Sequence, residues 1–219
     1  MEMAQTGHRK RLNPIASLTA IVGVVSSCTL AVEGYRSLGA ASRVGLKKGS
    51  GIALPRGVDA DGRAAFLAAY KVFMHPRCMN CHPSGDAPLQ GDNSHPHIQN
   101  VRRGKDGKGK YALKCANCHQ ETNLPGENMP PGNPNWHLPV LNMPLVFQGK
   151  SPRELADQLK DPGRNGGKTL AQLVEHVTHD KLVSWGWEPG DGRTKPPLSH
   201  DEFAKRFREW VEKGAASPE

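Results

Sequence analysis

Cys78-Met79-Asn80-Cys81-His82 recurs as Cys115-Ala116-Asn117-Cys118-His119, and this duplicated Cys-x-x-Cys-His constrains the chain more than any other feature. In each copy two thiols three residues apart can add to the two vinyl groups of one porphyrin, while the imidazole that follows reaches the iron from the same side. The copies use four of the five cysteines and share the Asn before the second Cys. The pattern predicts two covalently attached haem c groups, bound through Cys78, Cys81, His82, Cys115, Cys118 and His119. Two other uses of these thiols account for less. An all-cysteine zinc tetrahedron could be closed by the two pairs, but it leaves both histidines without a role. A redox disulfide in each pair would call for a βαβ context, which the sequence does not offer.

These residues resemble the attachment sites of c-type cytochromes, whose bacterial members receive their haem outside the cytoplasmic membrane. The N-terminus is read in agreement with that. His8-Arg9-Lys10-Arg11 is a basic n-region, and Ile15 to Val25 is an apolar stretch too short and too rich in small residues for a membrane span. Residues 1–28 are read as a signal sequence or lipoprotein signal, because Val25-Ser26-Ser27-Cys28 looks like a lipobox and would explain the odd thiol. A cleaved signal that discards Cys28 and an uncleaved signal anchor are the alternatives. The location expected is the periplasm, with membrane anchoring through Cys28 where that residue carries lipid.

Residues 29–57 read as a flexible linker, since the stretch 36–57 is rich in Gly, Ser and Lys and lacks periodicity. The remainder, 58–214, is about one domain long. With 24 Gly, 18 Pro and few aromatics, it suggests loops wrapped around apolar cofactors more than a large side-chain core. The net charge of +8 is concentrated in the Gly-rich loop from Arg102 to Lys110. A basic surface of this kind steers acidic protein partners; nucleic acid is not an expected partner of an exported haem protein.

Helical periodicity marks four segments. Asp59 caps a helix whose face carries Phe66, Leu67, Tyr70, Phe73 and Met74, ended by Pro76. Ser151 and Glu154 form a capping box ahead of Leu155 and Leu159, and Leu170, Leu173, Val174 and Val177 define a third helix. Ser199 and Glu202 form a second box before Phe203, Phe207, Trp210 and Val211, with Gly214 as the stop. The first and last resemble the crossed terminal helices of class I cytochromes c. The stretch from His82 to Cys115 is too short to complete one such domain before the next begins. The fold expected is therefore mainly α: one compact, cytochrome c-like dihaem unit of short helices and long Gly/Pro-rich loops.

Each iron needs a second axial ligand, and His75, His95, His97, His137, His176, His179, His200, Met129 and Met143 are the candidates. His97, on the loop between the motifs, is preferred for one. Met143 is preferred for the other, because Asn142-Met143-Pro144-Leu145 resembles the class I Met-Pro loop. Such a His/Met iron would sit at the higher potential. Trp185-Gly186-Trp187 is expected to pack against a haem edge or the core. The order of features from Cys78 through Trp187 also resembles small proteobacterial dihaem proteins labelled as an isoquinoline 1-oxidoreductase subunit, and that resemblance implies a molybdenum hydroxylase-type dehydrogenase as partner. No residue pattern here builds a molybdopterin site. The function expected is electron transfer from a dehydrogenase donor to a cytochrome or oxidase acceptor, with no catalytic residues of its own. The alternative is a dihaem redox enzyme with one open iron, peroxidase-like or oxidising a small molecule.

Overall fold

Apolar residues at helical spacing, each preceded by a cap, require a partner face, and the computed structural model, which describes residues 56–219, packs these faces against one another. The described residues are mainly α-helical: α1 Arg56–Phe73, α2 Pro76–Met79, α3 Pro152–Lys160, α4 Leu170–His179, α5 Lys181–Ser184 and α6 His200–Glu212. One antiparallel ribbon joins β1 Leu89–Gln90 to β2 His95–Pro96, with Gln90 opposite His95. Short 3-10 turns occur at Cys115–Asn117 and Trp185–Trp187. The expectations for residues 1–28, for Cys28 and for all but the end of the linker lie outside the described residues.

The core is a helix crossing. Ala65, Phe66, Ala69, Val72 and Phe73 of α1 face Phe203, Phe207 and Trp210 of α6, all of them buried. Phe66 and Trp210 rings lie 4.7 Å apart, and Phe73 meets Phe203 edge-on at 5.1 Å, a geometry that satisfies the ring quadrupoles. Leu155 and Leu159 of α3 and Leu173 and Val177 of α4 fill the remaining sides. Phe73 also takes Phe147 edge-on at 5.1 Å, so a residue of the loop ahead of α3 is drawn into this core.

Several boundaries differ from the sequence reading. α1 begins at Arg56, ahead of Asp59, and so takes the last residues of the expected linker. Gly57 weakens a helix but does not stop it, and Asp59 falls in the first turn, where its charge suits the dipole. Leu67 is 42% exposed, because the small Ala65 and Ala69 occupy the face that α6 approaches. Pro76 does not end α1. The chain turns after Phe73, the His75 Nδ1 accepts from the Arg77 N–H, and Pro76 opens α2, the position where a missing N–H costs least.

The capping boxes of α3 and α4, Ser151 with Glu154 and Thr169 with Gln172, are complete. At α6 Ser199 accepts from the Glu202 N–H, but the Glu202 carboxylate turns to Arg206 at 2.7 Å instead of returning to the cap. The domain also runs past Gly214. Gly214 adopts a positive φ of 87°, the chain reverses, and Ala216 and Ser217 carbonyls accept from Trp210 Nε1 and Arg63 Nε.

Phe207 is fully buried at the centre of the crossing. Phe207→Ala should lower the unfolding free energy by roughly 3–5 kcal/mol, measured by denaturant titration with the slope unchanged.

Candidate functional site

The first motif straddles the end of α2. Cys78 lies on that helix, and the chain leaves it through Asn80, whose side chain donates to the Gly91 carbonyl. His82 is then fixed from three sides by one segment. Its Nδ1 donates to the Leu145 carbonyl at 2.7 Å, its ring stacks on Phe147 at 3.9 Å and 14°, and its own carbonyl accepts from the Phe147 and Gln148 N–H groups. Burial pushes the His82 pKa down to about 4, against the Leu145 hydrogen bond, and the charges of His176, Arg103 and His137 add to the fall. The ring is therefore neutral at pH 7. A carbonyl can only accept, so the proton sits on Nδ1 and the free lone pair on Nε2, the arrangement of a metal-binding imidazole.

The second motif repeats this device with different chain. Cys115 is buried in the 3-10 turn while Cys118 is exposed. His119 donates from Nδ1 to the Pro131 carbonyl at 2.7 Å and stacks on Trp136 at 4.2 Å and 8°. Trp136 meets Trp185 edge-on at 4.8 Å, and Trp185 Nε1 donates to Asn123. Burial lowers the His119 pKa, with the Pro131 hydrogen bond opposing. The returning loop passes so close that a Cβ on Gly132 would stand 1.9 Å from the Thr122 carbonyl oxygen.

All four motif thiols are unbridged. Burial pushes Cys78 up to about 12 and Cys81 up to about 11, so both stay protonated at neutral pH. Among the described residues no three His, Cys, Asp or Glu side chains converge as a metal-ion site. The four cysteines thus do not form the tetrahedron that zinc would need.

Of the remaining histidines, His97 stands opposite His119. Their ring centres are 6.4 Å apart and their planes cross at 66°, and the His97 Nδ1 is buried without a hydrogen-bond partner. A metal–imidazole bond is about 2 Å long and the ring centre lies about 1 Å beyond it, so two imidazoles sharing one metal stand roughly 6 Å apart. His97 and His119 therefore have the separation of a ligand pair. His176 is half-buried on α4, with Nδ1 3.5 Å from Asp180, and burial lowers its pKa. His137 Nδ1 is held by the Asn135 carbonyl.

Other candidates are engaged elsewhere. His75 caps α2, His95 bonds Asn93, His179 pairs with Glu175, and His200 stacks on Trp187 with its Nε2 at the Val177 carbonyl. Met129 is 42% exposed. Met143 is half-buried, two residues before the Leu145 carbonyl that binds the His82 Nδ1. Trp187 packs on Phe203 and donates to the Leu198 carbonyl, joining the core.

The basic loop differs most from the sequence reading. Arg103 is 1% exposed and donates to the Pro139 and Gly85 carbonyls. Gly104, Gly107 and Gly109 are buried at positive φ. Arg102, Lys105 and Lys108 stay exposed, so only part of the loop's charge faces outward.

Phe147, Trp136 and the carbonyls of Leu145 and Pro131 complete the sites, and none was singled out from the sequence for this role. An aromatic residue downstream of each motif was the available signal for the two rings; a carbonyl leaves none. Among the described residues no helix is long and apolar enough to cross a membrane. Compared with family models, curated proteins and solved structures, the chain has no match.

Gly132→Ala forces the Thr122 backbone to move and with it the Pro131 carbonyl. The variant should lose roughly 1–3 kcal/mol of stability, read by denaturant titration, and its His119 ring resonances should broaden or shift in NMR spectra.

Proposed function

We propose that the chain is an exported dihaem c-type cytochrome, a mainly α unit with cytochrome c-like crossed terminal helices, which passes electrons from a dehydrogenase to a downstream acceptor. The observation that carries this reading is the repeated treatment of the two motif histidines: each is partly buried, neutral, stacked on an aromatic ring, and has Nδ1 committed to a carbonyl so that Nε2 is free. Packing alone does not require that coincidence at the residue after each Cys-x-x-Cys. Cys78 and Cys81 would hold one haem with His82, and Cys115 and Cys118 the other with His119. Each bound haem would supply a one-electron ferric/ferrous couple.

His97, whose ring centre lies 6.4 Å from that of His119, would hold the iron of the second haem together with it. For the His82 iron Met143, the residue preferred from the sequence, and the half-buried His176 are the two candidates. Leu145, whose carbonyl bonds the Nδ1 edge of His82, follows Met143 by two residues. His176 has an Asp180 carboxylate 3.5 Å from Nδ1, the usual partner of a metal-binding imidazole. Two residues holding each iron would leave it no open position for a substrate, and the number of candidate donors favours a carrier over an enzyme. Exposed Arg102, Lys105 and Lys108 suit an acidic protein partner, and lipid on Cys28 would supply a membrane attachment.

Expression with a haem-attachment system should give two haems that survive denaturing electrophoresis. Replacing Cys78 and Cys81 by Ala should leave one, and replacing all four motif cysteines should leave none. A wild-type chain that carries no covalent haem would falsify the cytochrome reading. The reduced protein should be low-spin and slow to bind carbon monoxide, whereas His97→Ala should open one iron to it. Fast binding by the unsubstituted protein would favour the open-iron enzyme. A thioether charge-transfer band in the oxidised protein, lost in Met143→Leu, would assign the first iron to Met143.

A further inference from the structure

Both contacts that orient the His119 ring converge on one atom, the Asn123 Oδ1. The Pro131 carbonyl that accepts from His119 Nδ1 at 2.7 Å belongs to the same peptide group as the Gly132 N–H, and that N–H donates to Asn123 Oδ1 at 2.9 Å. A peptide group is planar, so holding its N–H edge fixes the direction in which its C=O edge points. The same Oδ1 accepts from Trp185 Nε1 at 2.8 Å. Trp185 stands edge-on to Trp136 at 4.8 Å and 81°, and Trp136 lies against the His119 ring at 4.2 Å and 8°.

Asn123 is itself held, because its Nδ2 donates to the Glu188 carbonyl at 2.7 Å. An amide oxygen offers two lone pairs and the nitrogen only N–H groups, so two donors and one acceptor admit a single orientation of this side chain. Donation by the Gly132 N–H also polarises the peptide, which makes the Pro131 oxygen a stronger acceptor for His119. Among the described residues the first motif has no counterpart: Gln158 donates to the Val146 carbonyl, not to the peptide group whose Leu145 carbonyl faces His82. We propose that Asn123 is the positioning residue of the second haem's histidine, acting through the Pro131 carbonyl and the Trp136 ring. This inference rests on the dihaem reading. A histidine that donates more strongly from Nδ1 is a more basic ligand and favours ferric iron, and the plane of its ring shapes the EPR signal of that iron.

The test is potentiometry and EPR of the haem-loaded protein with Asn123→Ala and Asn123→Asp, the second haem being the one missing when Cys115 and Cys118 are both replaced by Ala. Asn123→Ala should raise the midpoint of that haem, so that its ferrous-to-ferric ratio at fixed poise rises about threefold, about 28 mV for a one-electron couple, and should move its ferric EPR signal. The other haem should keep both values. Asn123→Asp retains an oxygen for both donors, so the EPR signal should stay in place and the midpoint should not rise; a residue that only fills space would be replaced no better by Asp than by Ala. Unchanged values in Asn123→Ala, equal shifts of the two haems, or an Asp variant displaced like the Ala variant overturn the assignment. Should the Ala variant fail to fold, Trp185→Phe decides, since it keeps a ring against Trp136 and removes one of the two donors. Movement of the second haem's signal alone supports the proposal, and movement of neither or of both overturns it. Absence of covalent haem from the unsubstituted chain is a different result, which removes the dihaem reading and this proposal with it.

Discussion

A buried imidazole with one nitrogen committed to a backbone carbonyl is the constraint on which the rest of this molecule depends. Taking a histidine ring out of water favours its neutral form, and the carbonyl then decides which nitrogen keeps the proton. At His82 the carbonyl, the stacked ring and the paired N–H groups all come from Leu145 to Gln148. Because Phe147 is also an edge-on partner of Phe73, the orientation of this imidazole is set by the crossing of α1 and α6. The helical core and the site are one packing problem.

The charges around that packing follow the same logic. Interior groups are matched where the chain can match them: Gln158 donates to the Val146 carbonyl, Asn165 bonds both Leu159 and Lys168 carbonyls, and Arg77 has its aspartate. The exceptions among the described residues are Arg77 Nε, Asn80 Oδ1, Ser94 Oγ, His97 Nδ1 and Arg103 Nε; Arg77 and Asn80 flank Cys78, and the others lie between the two motifs in sequence. Unsatisfied buried groups are costly, so their gathering near the two cysteine pairs is more informative than their number.

What could be read from the sequence was what depends on local spacing. The four apolar stripes, the Ser151 and Ser199 caps and the Gly214 stop are each set within a few residues, and helices formed at all four stripes. Leu67 and Pro76 were misjudged because the former depends on which side α6 approaches and the latter on a His75 cap one residue before it. The attachment residues are explicit in the pentapeptides, whereas Phe147 reaches His82 across the longest loops of the chain, and no local pattern announces such a contact. Arg103 looked like part of a solvated basic run, since burial of a charge depends on Pro139 and Gly85 meeting around it.

The two histidines differ in how far away their carbonyls are along the chain. Pro131 lies 12 residues from His119, while Leu145 lies 63 residues from His82. Closing the longer loop costs more chain entropy, and contacts of high sequence separation form slowly. As the chain emerges from its N-terminus, the first Cys-x-x-Cys-His appears first but stays unfinished until Leu145 has followed, whereas the second closes on itself within a short stretch. The order in which the two sites are completed is thus the reverse of the order in which they are made.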